Sequence, residues 1–258
     1  MTAQDRLRAS LTGFVAGLAG GLFGVGGGIV LVPLLTGFFA LTQHQAHGTS
    51  LAAIGATAIA GLVVYGTHGQ VDWASAALMG LASIAFARLG ARGAARVSRS
   101  GLTRAFAVFL AIVAARMLWK APTGTGEALV TGVWRVPAVL AVGAAVGLLS
   151  GFLGVGGGIL AVPALALLFG EPQRTAQGTS LAVILVTAPF GALEHHRHGN
   201  VVARVVPWLA LGAGLGAPLA SALAQVLPQA ALARGFAAFL LVNAVNTWVR
   251  AARTAKKA

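Results

Sequence analysis

An all-α polytopic membrane protein built from two inverted repeats, each a re-entrant glycine-broken helical hairpin plus three transmembrane helices, is the fold class this sequence predicts. Three observations predict it: a strongly apolar composition, a gap-free internal repeat, and an opening segment in each repeat that is interrupted by three consecutive glycines.

Of the 258 residues, 57% are hydrophobic and 9% are charged, with a mean hydropathy of +0.86. A soluble domain carries about a quarter charged residues. Lipid accepts the apolar excess, because a helix facing hydrocarbon needs no polar side. The 18 Lys and Arg outnumber Asp5, Asp72, Glu127, Glu171 and Glu194, giving a net charge of +13. These cations lie in short runs between apolar segments, the pattern that orients membrane helices, so they predict no nucleic-acid face. The absence of cysteine excludes disulfides and thiolate metal sites. The first ten residues mix an acid with bases and lead into an apolar stretch that recurs later, so no cleaved signal peptide is expected.

The repeat runs at a constant offset of 130 residues. Gly24-Val25-Gly26-Gly27-Gly28-Ile29 matches Gly154-Val155-Gly156-Gly157-Gly158-Ile159, and Val32-Pro33 matches Val162-Pro163. Gly48-Thr49-Ser50-Leu51-Ala52 matches Gly178-Thr179-Ser180-Leu181-Ala182; Thr57 matches Thr187 and His68-Gly69 matches His198-Gly199. The predicted units are 1–125 and 126–258, one membrane domain hinged around Pro122 to Gly126.

Ordinary spans of about 20 apolar residues are predicted at 46–66, 71–91 and 102–119, and at 176–194, 201–222 and 231–249. The opening segments, 11–41 and 133–170, are different. Each arm beside the triple glycine is about 14 residues, roughly 20 Å of helix, which stops short of crossing a core about 30 Å thick. Two half-helices forming a re-entrant hairpin are therefore expected. Charge supports this choice: with three crossings per half, Arg6, Arg8, the run from Arg88 to Arg104, Arg197, Arg204 and the basic tail from Arg250 to Lys257 share one side, as the positive-inside bias requires.

Paired segments broken at glycine in inverted repeats point to a transporter's substrate site near the midplane. At Gly26, Gly27, Gly28 and at Gly156, Gly157, Gly158 the second arm begins, so free amide N–H groups and the positive end of a helix dipole face the opposite tip. That is a cradle for an anion, which can approach a backbone without side chains closely. The competing reading is tight helix packing; it suits Gly17, Gly20 and Gly21, but a triplet faces all round a helix and disfavours it. Thr49, Ser50, Thr179 and Ser180 lie near the start of the next helix, with Thr57 and Thr187 on the same face. Their hydroxyls either donate to the anion or bond carbonyls of neighbouring turns. His68 and the run Glu194-His195-His196-Arg197-His198 lie at span ends, where solvation at the interface is expected; adjacent positions on a helix make poor metal geometry. Asn243 and Asn246 line the pathway or bond between helices, and Arg116 and Lys120 snorkel. Carboxylates are nearly absent from the spans, so proton coupling would have to use edge groups, histidines or the substrate.

The doubled segments Gly24 to Pro33 and Gly154 to Pro163, each followed by Gly-Thr-Ser-Leu, resemble those of the sulfite exporter TauE/SafE family of membrane permeases, over nearly the whole chain. The resemblance implies outward transport of sulfite, a sulfonate or a related organic anion from a bacterial inner membrane, by a multi-pass protein; the charge placement puts its N- and C-termini on the cytoplasmic side. The expected partners are the small anion and the lipid bilayer, with a homo-oligomer allowed and no nucleic acid. No catalytic residue, metal or cofactor is expected. The alternatives are a membrane scaffold or accessory subunit, and an intramembrane enzyme using Glu194 and His195 to His198. Counterparts that differ between halves, His47 with Gln177 and Asp72 with Val202, leave the coupling residue open.

Overall fold

A computed structural model describes the backbone of residues 1–93, 99–119, 128–153 and 156–255. The described residues are helical, without strands: α1 (Ala3–Phe23), α2 (Gly28–Phe38), α3 (Gln43–Thr67), α4 (Trp73–Gly93), α5 (Arg99–Trp119), α6 (Arg135–Leu153), α7 (Gly158–Leu168), α8 (Gln173–Arg197), α9 (Val206–Val226) and α10 (Gln229–Ala255). The expected hinge at Pro122 to Gly126, together with Lys120, Glu127, Gly154, Val155, Lys256 and Lys257, lies outside them.

The helix is interrupted at each glycine triplet, with arms of unequal length. α1 has 21 residues, about 32 Å, whereas α2 has 11; α6 has 19 and α7 has 11. The expectation of two arms of about 14 residues each is corrected. Counting apolar residues missed the polar start of α1, where Thr2 Oγ1 accepts from the Asp5 N–H and Asp5 Oδ2 accepts from the Thr2 N–H, starting the helix before the apolar run begins. Among the described residues, six helices are long and apolar enough to cross a membrane, namely α3, α4, α6, α8, α9 and α10. Five coincide with expected spans. In place of α5, whose apolar part Phe106–Trp119 is shorter, the long arm α6 qualifies.

Glycines set the packing. On α1, Gly13, Gly17 and Gly21 recur every fourth residue and meet the backbone of Leu209, Ala213 and Ala217 on α9, so the two helices run parallel. A Cβ on Gly17 would lie 2.5 Å from Ala213 O. The repeat-related pair behaves alike: Gly143 and Gly147 on α6 meet Met79 and Ser83 on parallel α4. Between these pairs, α3 and α8 run antiparallel, with Leu51 against Gly191, Leu181 against Gly61 and Tyr65 against Gly178. In lipid such close backbone approach replaces the hydrophobic drive that joins helices in water. The far face of α9 presents Leu211, Leu215, Leu219 and Val226 outward, as a bilayer-facing helix should. Two apolar cores result, one around α6 and α7 with Val139, Val146, Ile159 and Leu165, the other around α1 and α2 with Ala16, Leu31 and Leu35.

Gly17→Leu should therefore drive a side chain into the α9 backbone and lower stability by about 3 kcal/mol, whereas Gly37→Leu, where a Cβ meets nothing within 4 Å, should not. Thermal unfolding of the two variants in detergent checks the difference.

Candidate functional site

The chain reverses at Gly24, Gly26 and Gly27, with φ of +68°, +71° and +81°, and at Gly156 and Gly157, with φ of +82° and +77°. These left-handed conformations favour glycine. Gly27 and Gly157 are the N-caps of α2 and α7, and neither helix has a side-chain cap. The ladders start with the N–H groups of Val30 and Leu31 bonded to Gly27 O, and of Leu160 and Ala161 bonded to Gly157 O. The amides of Gly28, Ile29, Gly158 and Ile159 precede those ladders at the positive ends of the two helices.

The two turns meet. A Cβ on Gly158 would lie 2.7 Å from Val25 Cα and 2.8 Å from Gly24 O. Ile54 of α3 and Ile184 of α8, another repeat-related pair, are fully buried against them: Ile184 lies beside Gly26 and Gly158, and Ile54 beside Gly156. The junction is thus closed by two isoleucines.

The hydroxyls divide into two groups. Ser180 Oγ donates to Gly24 O across the halves at 2.7 Å. Its counterpart Ser50 is fully buried, and Ser50 Oγ has no partner among the described residues; the same holds for Thr57 Oγ1. Thr57 packs with Gly27 around Gly20, beside the first turn. Thr187 Oγ1 donates to Val183 O at 2.8 Å and also meets Ser83 Oγ. Thr49 Oγ1 accepts from the Val202 N–H at 3.0 Å, and Thr179 Oγ1 accepts from the Asp72 N–H at 2.9 Å. The two threonines therefore each hold a loop of the other half, Thr179 at the end of the α3–α4 connection and Thr49 within the α8–α9 connection. Of the twelve expected site residues, the six glycines, Ser180 and Thr57 gather at the turns, Thr49 and Thr179 engage the loops, Thr187 bonds Val183 O and Ser83, and Ser50 is buried without a partner among the described residues.

His68 and His198 close the C-termini of α3 and α8, their Nδ1–H donating to Val64 O and Glu194 O at 2.8 and 2.7 Å. His196 is exposed. His195 is buried, with Nε2 3.2 Å from Gly151 O, which corrects the expectation that it is solvated at the interface. Asn243 Nδ2 donates to Phe239 O of its own helix, and Asn246 is exposed, so neither bonds another helix among the described residues. Tyr65, fully buried, donates to Gly21 O at 3.0 Å and lies 3.0 Å from Gln177 Oε1. Sequence reasoning passed over Ile54, Ile184 and Tyr65. Ile54 and Ile184 are identical across the repeat, which was the available signal.

One ion cluster lies at helix starts. Arg135 reaches Asp72 Oδ2 and Glu171 Oε1, both at 3.1 Å, joining the two ends of the second hairpin to the start of α4. Burial opposes ionisation of Asp72, but bonds from the Ser75 hydroxyl and amide, with Arg135, outweigh it and hold its pKa below the ordinary value. For Glu171, burial and then the Asp72 charge prevail over Arg135 and raise the pKa.

A family model described as "Sulfite exporter TauE/SafE" matches residues 139–258. A probable membrane transporter protein of Xylella fastidiosa (strain 9a5c) is 32% identical over 227 residues, covering 86% of this chain and 87% of its own. The probable membrane transporter protein YunE of Bacillus subtilis (strain 168) is 28% identical over 233 residues, covering 80% of this chain and 85% of its own. The probable membrane transporter protein MJ0441 of Methanocaldococcus jannaschii is 27% identical over 191 residues, covering 72% and 70%. No solved structure matches the chain.

Thr49→Val and Thr179→Val should each leave a loop N–H without its acceptor, lowering stability by about 1–3 kcal/mol. Amide exchange at Val202 and at Asp72, respectively, should accelerate; unchanged exchange at both would refute the anchoring role.

Proposed function

Because this chain belongs to the sulfite exporter TauE/SafE family, a family of membrane transporters, we propose that it carries a small sulfur-containing or organic anion, such as sulfite or a sulfonate, outward across a bacterial inner membrane. The anion is held near the midplane between the two glycine turns. The observation that carries this reading is the meeting of two uncapped helix N-termini, each preceded by glycines with positive φ, in the interior of a membrane protein. Amides of Gly28, Ile29, Gly158 and Ile159 supply donors without a fixed charge, so the guest is bound and still released. The buried Thr57 hydroxyl, beside the first turn, is one side-chain donor; Ser180 joins it by leaving Gly24 O, and Ser50, its repeat-related counterpart, is the proposed donor of the other half.

In this reading the halves 1–125 and 126–258 are inverted in the bilayer, both termini are cytoplasmic, and each hairpin enters from its own side. Parallel pairing of α1 with α9 and of α6 with α4 means that each hairpin is carried by a helix of the other half. A hairpin then moves with that helix as access alternates. Ile54 and Ile184 seal the junction in the occluded state and withdraw when the anion enters. No covalent step is needed, so the activity is transport rather than catalysis.

Proteoliposomes containing the purified chain should accumulate labelled sulfite, a sulfonate or a carboxylate. Ser180→Ala should insert normally and lose about tenfold or more of that flux, the loss expected for one hydrogen bond to a charged group. Failure of the unmodified chain to move any of these anions would overturn the reading. The chain has no native cysteine, so Thr67→Cys and Arg197→Cys, repeat-related and exposed, should label from opposite faces of sealed vesicles. Labelling from the same face would refute the inversion.

A further inference from the structure

Several repeat-related positions around the junction, the turn glycines and Ile54 with Ile184 among them, keep the same side chain; one slot exchanges a titratable ring for a neutral one. Tyr65 on α3 and His195 on α8 occupy it in the two halves. Each reaches a carbonyl near the end of a hairpin's long arm, Tyr65 to Gly21 O at 3.0 Å and His195 Nε2 to Gly151 O at 3.2 Å. Each leaves its helix opposite a glycine of the Gly-Thr-Ser motif: a Cβ on Gly178 would lie 2.9 Å from Tyr65 Cβ, and one on Gly48 would lie 2.9 Å from His195 Cβ. The neighbouring position differs as well. Gln177 lies beside the Tyr65 hydroxyl, and its counterpart is His47, whose Nε2 is 2.9 Å from Gln43 Nε2. One half thus places a phenol and an amide where the other places two imidazoles.

We propose that His195 is the proton-binding group of this transporter, with His47, in the position that Gln177 holds in the other half, as a second titratable group, so that on this side of the junction the anion moves together with a proton, while the Tyr65–Gln177 side stays neutral. The proposal rests on the anion-transport reading and adds its coupling ion. Imidazole is the side chain whose charge changes near neutral pH. A phenol and an amide in the equivalent slot do not titrate there. The charged groups facing His195 are His44 of α3 and, on α8 itself, Glu194 and His198; Glu194 is also 3.6 Å from Arg197. Gly151, at the end of α6, offers only its carbonyl. Protonation converts the bond from Nε2–H to Gly151 O into a charge-assisted one, which fastens α8 to the arm leading into the second glycine turn. Losing the proton loosens the same arm. Proton occupancy and the position of one hairpin tip are thereby coupled at a single contact.

Two measurements on the full chain test this, with His195→Tyr and His47→Gln, which import the side chains that the other half already holds at these positions; His195→Gln serves if the phenol is not accommodated. First, without any substrate, amide exchange over residues 146–152 is followed from pH 8 to pH 5.5 and expressed as the ratio of His195→Tyr to the unmodified chain, which cancels the intrinsic pH dependence. That ratio should rise about tenfold as the imidazole becomes charged; a flat ratio overturns the proposal. Second, uptake of labelled methanesulfonate, a strong-acid anion that keeps one charge throughout, is measured at clamped membrane potential with and without an inward proton gradient. The gradient should stimulate the unmodified chain about tenfold and the doubly substituted chain hardly at all. Stimulation that survives in the double variant overturns the proton station. Uptake of no anion by the unmodified chain overturns the anion reading instead, and the exchange ratio alone then decides whether His195 is a proton switch.

Discussion

Backbone lying against backbone is the constraint on which the rest of this molecule depends. Where Gly13, Gly17 and Gly21 meet Leu209, Ala213 and Ala217, no side chain separates α1 from α9, and the repeat-related glycines of α6 bring it as close to α4. Between helices in hydrocarbon there is no water to expel, so association draws on dispersion and on polar contacts. Both grow with the closeness that glycine permits. Each hairpin is consequently bonded more intimately to a helix of the other half than to the helices that follow it in sequence. The two turns are carried inward by that exchange and meet at Gly24, Val25 and Gly158.

The same economy of side chains governs the polar groups. A buried hydroxyl in a membrane must find a partner or be held for one. Thr49 and Thr179 spend theirs on loop amides of the opposite half, tying each Gly-Thr-Ser segment to a connection it does not precede in sequence. Ser180 spends its hydroxyl on the first turn at Gly24, whereas Ser50 and Thr57 remain buried beside apolar neighbours, with no partner among the described residues. Of the polar capacity that folding leaves over, the Thr57 hydroxyl lies beside the first glycine turn, while Gln173 keeps a further share at the start of α8.

Much of this was legible in the sequence. The offset of 130 residues located both turns, and the glycine triplets marked the helix breaks that occur at Gly24 to Gly27 and before Gly158. Arm lengths were not legible, because an apolar count cannot see a helix that begins in a capping box among charged residues, as α1 does at Thr2 and Asp5. Nor was the division of labour within Gly-Thr-Ser. Adjacent hydroxyls on one helix point in different directions, and which of them meets a loop depends on how α3 and α8 cross, a property of the tertiary packing. His195 was assigned to solvent because it stands beside His196 and Arg197 near a helix end; its own position on the helix turns it toward α6 instead.

Repetition and divergence answer different questions in a duplicated chain. Positions that stayed alike, the glycines at the turns, Ile54 with Ile184, and His68 with His198, perform the same structural act twice, since both halves have to fold by the same rules. Positions that diverged without disturbing the geometry are free to take on different tasks. Tyr65 and His195 diverged in that way: both are planar rings opposite a motif glycine with a polar tip on a hairpin carbonyl, and they differ in whether a proton leaves near neutral pH. The asymmetry lies in ionisation and not in shape, which is how a fold built on near symmetry can give its two sides different tasks.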